Sequence, residues 1–263
     1  RDGVKLATDI YQPTFGIGLS SGAFPVILQR TIYDKSADYT ALPAKYFSRR
    51  GYVSVVQDCR GRFNSEGDYY HMINESEDGF DTLEWLSTQP WCNGKIGMFG
   101  ISWGGTASLQ ANVNAPDALK AIIAVCATHD RYEDDIHHMG GCLLTDSVEW
   151  GATLPAILGA PPSANIEENW FEIWKARLDK LSFPLETWLR NEDRGNYWRH
   201  GSVIHQLDQM RAPILCVGGW SDRYSNSVMS LVDRRPDLAW GVVGPWGHHY
   251  PDHAHPGPGV GFQ

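Results

Sequence analysis

The sequence predicts an α/β fold built on a mostly parallel central sheet, and three observations predict it. Short apolar runs bounded by turn residues alternate along the chain with stretches of helical spacing, the rhythm of strand–helix–strand units. The run Gly97-Met98-Phe99-Gly100-Ile101-Ser102-Trp103-Gly104-Gly105 sets a serine among glycines between one such strand and the helix after it. Two later apolar runs end on an aspartate and a histidine, Asp222 and then His248.

Each element follows from local pattern. Residues 4–11 and 25–29 read as early strands separated by a Gly/Ser-rich turn over 16–22. Residues 41–50 form a short helix, and Tyr52-Val53-Ser54-Val55-Val56 is the buried strand behind it. Residues 75–87 make a helix with an acidic front and with Phe80, Leu83, Trp85 and Leu86 toward the core. Residues 95–99 are the strand entering the serine turn, 106–113 the helix leaving it, and 119–127 a further strand. The strand rhythm then stops. From 128 to 210 the chain is rich in Trp, Gly and Pro, with helical patches at 166–178 and 185–190. A strand over 212–220, a helix over 225–232 and a strand over 238–244 complete the pattern, and no internal repeat appears.

The serine turn has the form of the nucleophile elbow of α/β-hydrolases. A sharp turn there lifts the Ser102 hydroxyl above the carboxyl edge of the sheet and aims the Trp103 N–H at an incoming carbonyl. Gly100 and Gly104 are expected beside it because side chains would collide with the neighbouring strand and helix. A serine hydroxyl is a weak nucleophile without a base and an orienting acid, and in this fold they arrive in the order Ser, acid, His. Asp222, after Gly218-Gly219-Trp220-Ser221, is the candidate acid, and His248, after Gly244-Pro245-Trp246-Gly247, is the candidate base. The expected division is 1–127 as the first part of an α/β-hydrolase core, 128–210 as a helical cap, and 211–263 as the second part. The cap opening, 130–141, is expected to send side chains into the pocket, and Trp103, Trp150, Trp220 and Trp246 are candidates to wall it.

Composition narrows the partners. Lys plus Arg number 22 against 31 Asp plus Glu, a net charge of -9, and no basic stripe is present to neutralise phosphates, so nucleic acid is excluded as a partner. The five cysteines, Cys59, Cys92, Cys126, Cys142 and Cys216, lack CxxC spacing, and Cys126 and Cys216 fall in apolar strands as packed thiols. That usage fits a reducing compartment, and no apolar run reaches membrane-spanning length, so a cytoplasmic location is expected. His249, His253 and His255 have no acid or cysteine at a ligand spacing, so neither a metal nor a cofactor is expected.

A set of segments is more specific than the elbow alone: Arg1-Asp2-Gly3-Val4, Tyr33-Asp34-Lys35, Gln57-Asp58-Cys59-Arg60-Gly61, the run from 81 to 105, Gly219-Trp220-Ser221-Asp222, and Gly244-Pro245-Trp246-Gly247-His248. With these the chain resembles the cocaine esterase and X-prolyl dipeptidyl aminopeptidase (CocE/NonD) family of serine hydrolases. The resemblance implies that Ser102 is the nucleophile, His248 the base and Asp222 its orienting acid. It also implies that the Tyr33 hydroxyl joins the Trp103 N–H in the oxyanion hole. Members acting on α-amino esters carry acidic residues just after the catalytic aspartate, whereas Arg223-Tyr224-Ser225 stands here. Members also continue into a jelly-roll β-sandwich that this chain lacks, so it reads as a fragment or a processed chain. The expected function is hydrolysis of a carboxylic ester or amide, with a small-molecule or short peptide substrate, through an acyl-enzyme. X-prolyl dipeptidyl-peptidase activity and a non-catalytic binding module of the same fold are the alternatives.

Overall fold

A computed structural model describes residues 1–14, 21–164 and 168–253 of the chain. In chain order the elements are β1 (Thr8–Tyr11), β2 (Phe24–Thr31), α1 (Asp38–Ser48), β3 (Val53–Asp58), α2 (Glu75–Ser87), β4 (Cys92–Ile101), α3 (Trp103–Ala111) and β5 (Leu119–Val125). A two-residue hairpin, β6 (His138–Met139) and β7 (Cys142–Leu143), then precedes α4 (Asp146–Leu158), α5 (Trp170–Asp179) and α6 (Pro184–Leu189). The chain returns to the sheet with β8 (Ile214–Gly219), α7 (Ser225–Arg234) and β9 (Ala239–Gly244). The predicted turn over 16–22 falls almost wholly outside the described residues, as does His255.

Among the described residues seven strands form one sheet in the order β1-β3-β2-β4-β5-β8-β9. Only β1 runs antiparallel to its neighbour; the other pairs are parallel. The fold is therefore the α/β-hydrolase architecture that the sequence predicts. Strand order reverses between β2 and β4, which leave the sheet centre in opposite directions, and a crevice opens there above the carboxyl ends of the strands. Tyr33 follows β2 and Ser102 follows β4, so the reversal brings them side by side.

Two apolar clusters hold the layers together. One joins Val26, Leu28, Val55, Ile96, Ile122 and Ile214 of the sheet to Leu83 and Leu86 of α2, Leu109 of α3, and Val228 and Leu231 of α7. The other lies at the strand ends, where Ile32, Trp103, Cys126, Val217 and Trp246 meet Leu154, Leu185, Trp188 and Trp198 from the segment between β5 and β8. That segment thus packs its own apolar residues over the carboxyl edge of the sheet. Hydrogen bonds add to this contact. Arg62 donates to the carbonyls of Ile32, Ile157 and Leu158, tying the end of α4 to the end of β2, and Arg177 of α5 donates to the carbonyls of Phe63 and Ser65.

Three expectations are corrected. Trp85 does not face the core; it is 44% exposed, because Thr82, Leu83 and Leu86 already fill the buried side of α2. The strand predicted to reach 127 ends at Val125, since Cys126 takes a left-handed φ of 46° that no strand continues. Helix α4, which the sequence reading lacks, spans 13 residues in spite of Gly151 and an internal Pro155. Among the described residues no helix is long and apolar enough to cross a membrane.

Candidate active site

Ser102 sits at the junction of β4 and α3 with φ 56° and ψ -123°, a left-handed conformation that costs a non-glycine residue about 1–3 kcal/mol. Its surroundings hold it there. The Ser102 N–H donates to Val125 O (2.8 Å), and its carbonyl accepts the Thr106 N–H (3.0 Å) as the first bond of α3. A Cβ on Gly100 would overlap the backbone of Gly104, and one on Gly105 would meet Ala127 Cβ at 2.7 Å. The glycines this turn needs are thus Gly100 and Gly105. Gly104 is not required on steric grounds, since a Cβ there would lie 3.5 Å from the Arg30 carbonyl, an ordinary contact. Trp103 is the first residue of α3, so its N–H has no acceptor within the helix and the positive end of the helix dipole faces the turn.

Asp222 and His248, the candidate acid and base, reach each other through the loops after β8 and β9. Trp246 folds over the two strand ends so closely that a Cβ on Gly219 or Gly244 would overlap it. The Trp220 N–H donates to Gly244 O (2.8 Å) and the Ser221 N–H to Trp246 O (3.1 Å). The glycines that mark these two motifs in the sequence exist for this close approach. Beyond it, His248 Nδ1 lies 3.0 Å from Asp222 Oδ1. The Asp222 side chain is 1% exposed and that of His248 43%. Tyr224 packs its ring 5.5 Å from the imidazole and donates its hydroxyl to Asp135 (3.1 Å), a buried carboxyl pushed up to about 6 by desolvation. The Cys126 thiol lies against the Asp222 carboxylate; burial, and secondarily that negative charge, raise its pKa.

Ser102, Tyr33 and His248 line one pocket of about 310 Å³, together with Arg30, Thr31, Tyr39, Ile101 and Trp150. Asp222 stands behind His248 rather than in the pocket wall. Burial raises the Tyr33 pKa, so the phenol keeps its proton and remains a donor. Of the four tryptophans considered for the wall only Trp150, from α4, reaches this pocket. Trp103 and Trp246 are buried, whereas Trp220 is exposed. The stretch 130–141 does not line it either, because its polar groups are engaged elsewhere. Asp130 pairs with Arg194, Asp135 with Tyr224, and His137 packs against Trp188 and Trp198.

Sequence reasoning missed the residues that position this machinery. Asp58 is fully buried and accepts the Lys35 N–H (2.8 Å), fixing the turn that carries Tyr33; desolvation pushes its carboxyl up to about 6. Beneath the pocket Arg30 is fully buried, with Nη1 on Glu75 Oε2 (2.8 Å) and Nε on Gln57 Oε1 (2.9 Å). Removing the Glu75 carboxylate leaves the buried Arg30, among the described residues, with only Asp78, 3.9 Å from its Nη2, as a charged partner. Glu75→Ala is therefore expected to destabilise the protein by about 3–5 kcal/mol, measured by urea unfolding; a change below about 1 kcal/mol would mean that Arg30 finds solvent instead.

The chain is similar to known proteins in both sequence and fold. Residues 2–250 match the family model for X-Pro dipeptidyl-peptidase (S15 family). The chain is 31% identical to a cocaine esterase of Rhodococcus sp. (strain MB1 Bresler) over 94% of its own length and 47% of the relative's. It is 24% identical to a Xaa-Pro dipeptidyl-peptidase of Lactobacillus helveticus over 68% of its length and 24% of that protein's. Among solved structures, an α-amino acid ester hydrolase superimposes with a TM-score of 0.73 at 23% identity, covering 96% of this chain and 47% of that one. A CocE/NonD family hydrolase from Staphylococcus aureus gives 0.70 at 21% identity, covering 94% and 45%. The chain spans less than half the length of each of these relatives. By the extent of the family match and the identity to the cocaine esterase, the chain belongs to the X-Pro dipeptidyl-peptidase (S15) family.

Proposed function

We propose that the chain carries the catalytic domain of a serine hydrolase that cleaves a carboxylic ester or amide through an acyl-enzyme. The observation that carries this reading is the His248–Asp222 pair opening onto the same pocket as Ser102, at a strained strand-to-helix turn. In this reading Ser102 Oγ attacks the substrate carbonyl and His248 Nε2 takes its proton. Asp222 holds the Nδ1–H and stabilises the imidazolium that forms. The Trp103 N–H and the Tyr33 hydroxyl receive the oxyanion. Collapse of the tetrahedral intermediate expels the leaving alcohol or amine, which takes the proton back from His248. Water, activated by the same histidine, then releases the acid. The segment 128–210 acts as a cap, since it packs over the strand ends and supplies Trp150 to the pocket.

Esters are favoured over Xaa-Pro peptides as substrates. A dipeptidyl-peptidase has to hold a substrate ammonium, and among the described residues no carboxylate lines this pocket; Arg223, directly after Asp222, is spent on an ion pair with Asp146 of α4. The peptidase reading is supported by the family model and the Lactobacillus helveticus relative. Labelling with a fluorophosphonate followed by peptide mass spectrometry tests the nucleophile. A panel of small esters, anilides and Xaa-Pro anilides then decides between substrates, and turnover confined to Xaa-Pro compounds would reverse the preference.

Tyr33→Phe tests the oxyanion hole, because it deletes one hydroxyl and little volume. Loss of one such donor costs about 2.7–4 kcal/mol of transition-state stabilisation, or roughly a hundred- to thousandfold in kcat. KM should change far less, since the ground-state carbonyl carries little charge. A wild-type kcat would reduce Tyr33 to a packing residue.

A further inference from the structure

Cys126 is a buried thiol that the proposed reaction does not use. It follows β5 in a left-handed conformation, and its Sγ, a carboxylate oxygen of Asp222 and a ring nitrogen of His248 all lie within 4.8 Å of one another. Thiolate, carboxylate and imidazole together are the donor set that zinc and its heavier congeners prefer. In a tetrahedral site with bonds of about 2.0–2.3 Å, neighbouring ligand atoms are about 3.3–3.8 Å apart, so each of the three needs to move by less than about 1 Å. The carboxylate has a corner to give. Asp222 Oδ2 is buried and accepts no hydrogen bond of ordinary geometry from the described residues, while Oδ1 faces His248. An ion has a way in, because His248 is half-exposed at the pocket.

We infer that Cys126, Asp222 and His248 form an inhibitory site for a thiophilic divalent cation, Zn²⁺ or Cd²⁺. The inhibition, though not the binding, rests on the reading of His248 as the base. The nitrogen facing Asp222 is Nδ1, so the ion binds there. The proton of Nδ1 then resides on Nε2, and the ring stays neutral. With Nε2 protonated, no lone pair remains to take the proton of Ser102. As the sulfur–metal bond forms, the Cys126 S–H proton is released to solvent, so one proton leaves per ion bound and nothing is oxidised or reduced. A hard ion such as Mg²⁺, which prefers oxygen ligands in octahedral array, does not compete.

The test uses the full chain with the two less buried thiols removed, Cys92→Ser with Cys142→Ser, and Cd²⁺ as the probe. Titration should raise a thiolate-to-cadmium charge-transfer band in the ultraviolet that saturates at one equivalent and is lost on adding EDTA. Adding Cys126→Ser or Cys126→Ala should abolish the band and weaken Cd²⁺ binding at least about a hundredfold, the upper end of what even the outer partners of a metal ligand contribute. In the parent, Cd²⁺ should slow fluorophosphonate labelling of Ser102 in proportion to the band. In either Cys126 variant it should leave labelling unchanged relative to that variant's own metal-free rate. Serine keeps the size of the side chain, so the pair of variants separates ligation from folding. A band that fails to form, or that survives loss of the Cys126 thiol, overturns the site. A full band with unaltered labelling overturns the inhibition. Absence of labelling at Ser102 in metal-free protein would instead overturn the serine hydrolase reading, and the band would still report the ligand set.

Discussion

Ser102→Ala is expected to lower kcat on any substrate of this protein by about four to six orders of magnitude and to abolish fluorophosphonate labelling, while leaving the fold intact. The size of the effect follows from the arrangement around the residue. In the proposed mechanism no acyl-enzyme forms without Oγ, and His248, Asp222 and the oxyanion donors are left to assist direct attack by water. Residual turnover of about a thousandfold over the uncatalysed reaction is expected to persist, because the oxyanion hole still binds the tetrahedral species. Stability should not fall. Ser102 holds a left-handed φ of 56°, and alanine is no worse there than serine, so urea unfolding should give the wild-type midpoint within experimental error. Activity retained near wild type in a folded Ser102→Ala protein would remove the covalent mechanism altogether.

What the sequence made legible is the part of the molecule where local pattern and the candidate site coincide. Strands β2, β3 and β8 are largely buried runs, as a parallel sheet covered on both faces requires, whereas β4, β5 and β9 keep exposed positions such as Lys95, Lys120 and Trp240, and turn residues punctuate them all. The elbow was readable because its glycines and serine adjoin in the chain, and Asp222 and His248 because each ends its own strand. Residues joined only by tertiary contact were not readable. Arg30 and Glu75 are 45 positions apart, and nothing near either one marks it as half of a buried pair. Asp58 lies inside the Gln57-Asp58-Cys59-Arg60-Gly61 motif, but its task of fixing the Tyr33 turn appears only once β2 and β3 are adjacent. Helix α4 was hidden by Gly151 and Pro155, which argue against a helix locally. Its place comes from packing: a Cβ on Gly151 would meet Leu185 Cβ at 2.7 Å, so that glycine lets α4 and α6 come together. The elbow glycine was misassigned for a related reason. The requirement at Gly105 comes from Ala127, a residue 22 positions away on the adjoining strand end.

His248→Ala should be as severe as loss of the nucleophile, about four to six orders of magnitude in kcat, whereas His249→Ala should stay within severalfold of wild type. The two imidazoles are adjacent in sequence and both exposed, so composition and burial do not distinguish them. Their loop does. His248 Nδ1 lies 3.0 Å from Asp222 Oδ1, an arrangement that fixes the tautomer and leaves Nε2 as the free ring nitrogen. His248 also lines the pocket with Ser102, with the Tyr224 ring against its imidazole. The His249 backbone N–H donates to Gly247 O (2.9 Å), closing a tight turn over Trp246 that directs His248 toward the acid. That contribution comes from the backbone and survives truncation to alanine. Comparing kcat and fluorophosphonate labelling rates in the two variants therefore reads the loop geometry directly. Both reactions need the base, so labelling should fall in His248→Ala even though Ser102 is present. A severe His249→Ala beside a mild His248→Ala would shift the base by one position and detach Asp222 from it. Equal, moderate losses would instead mean that the variants damage the loop rather than proton transfer.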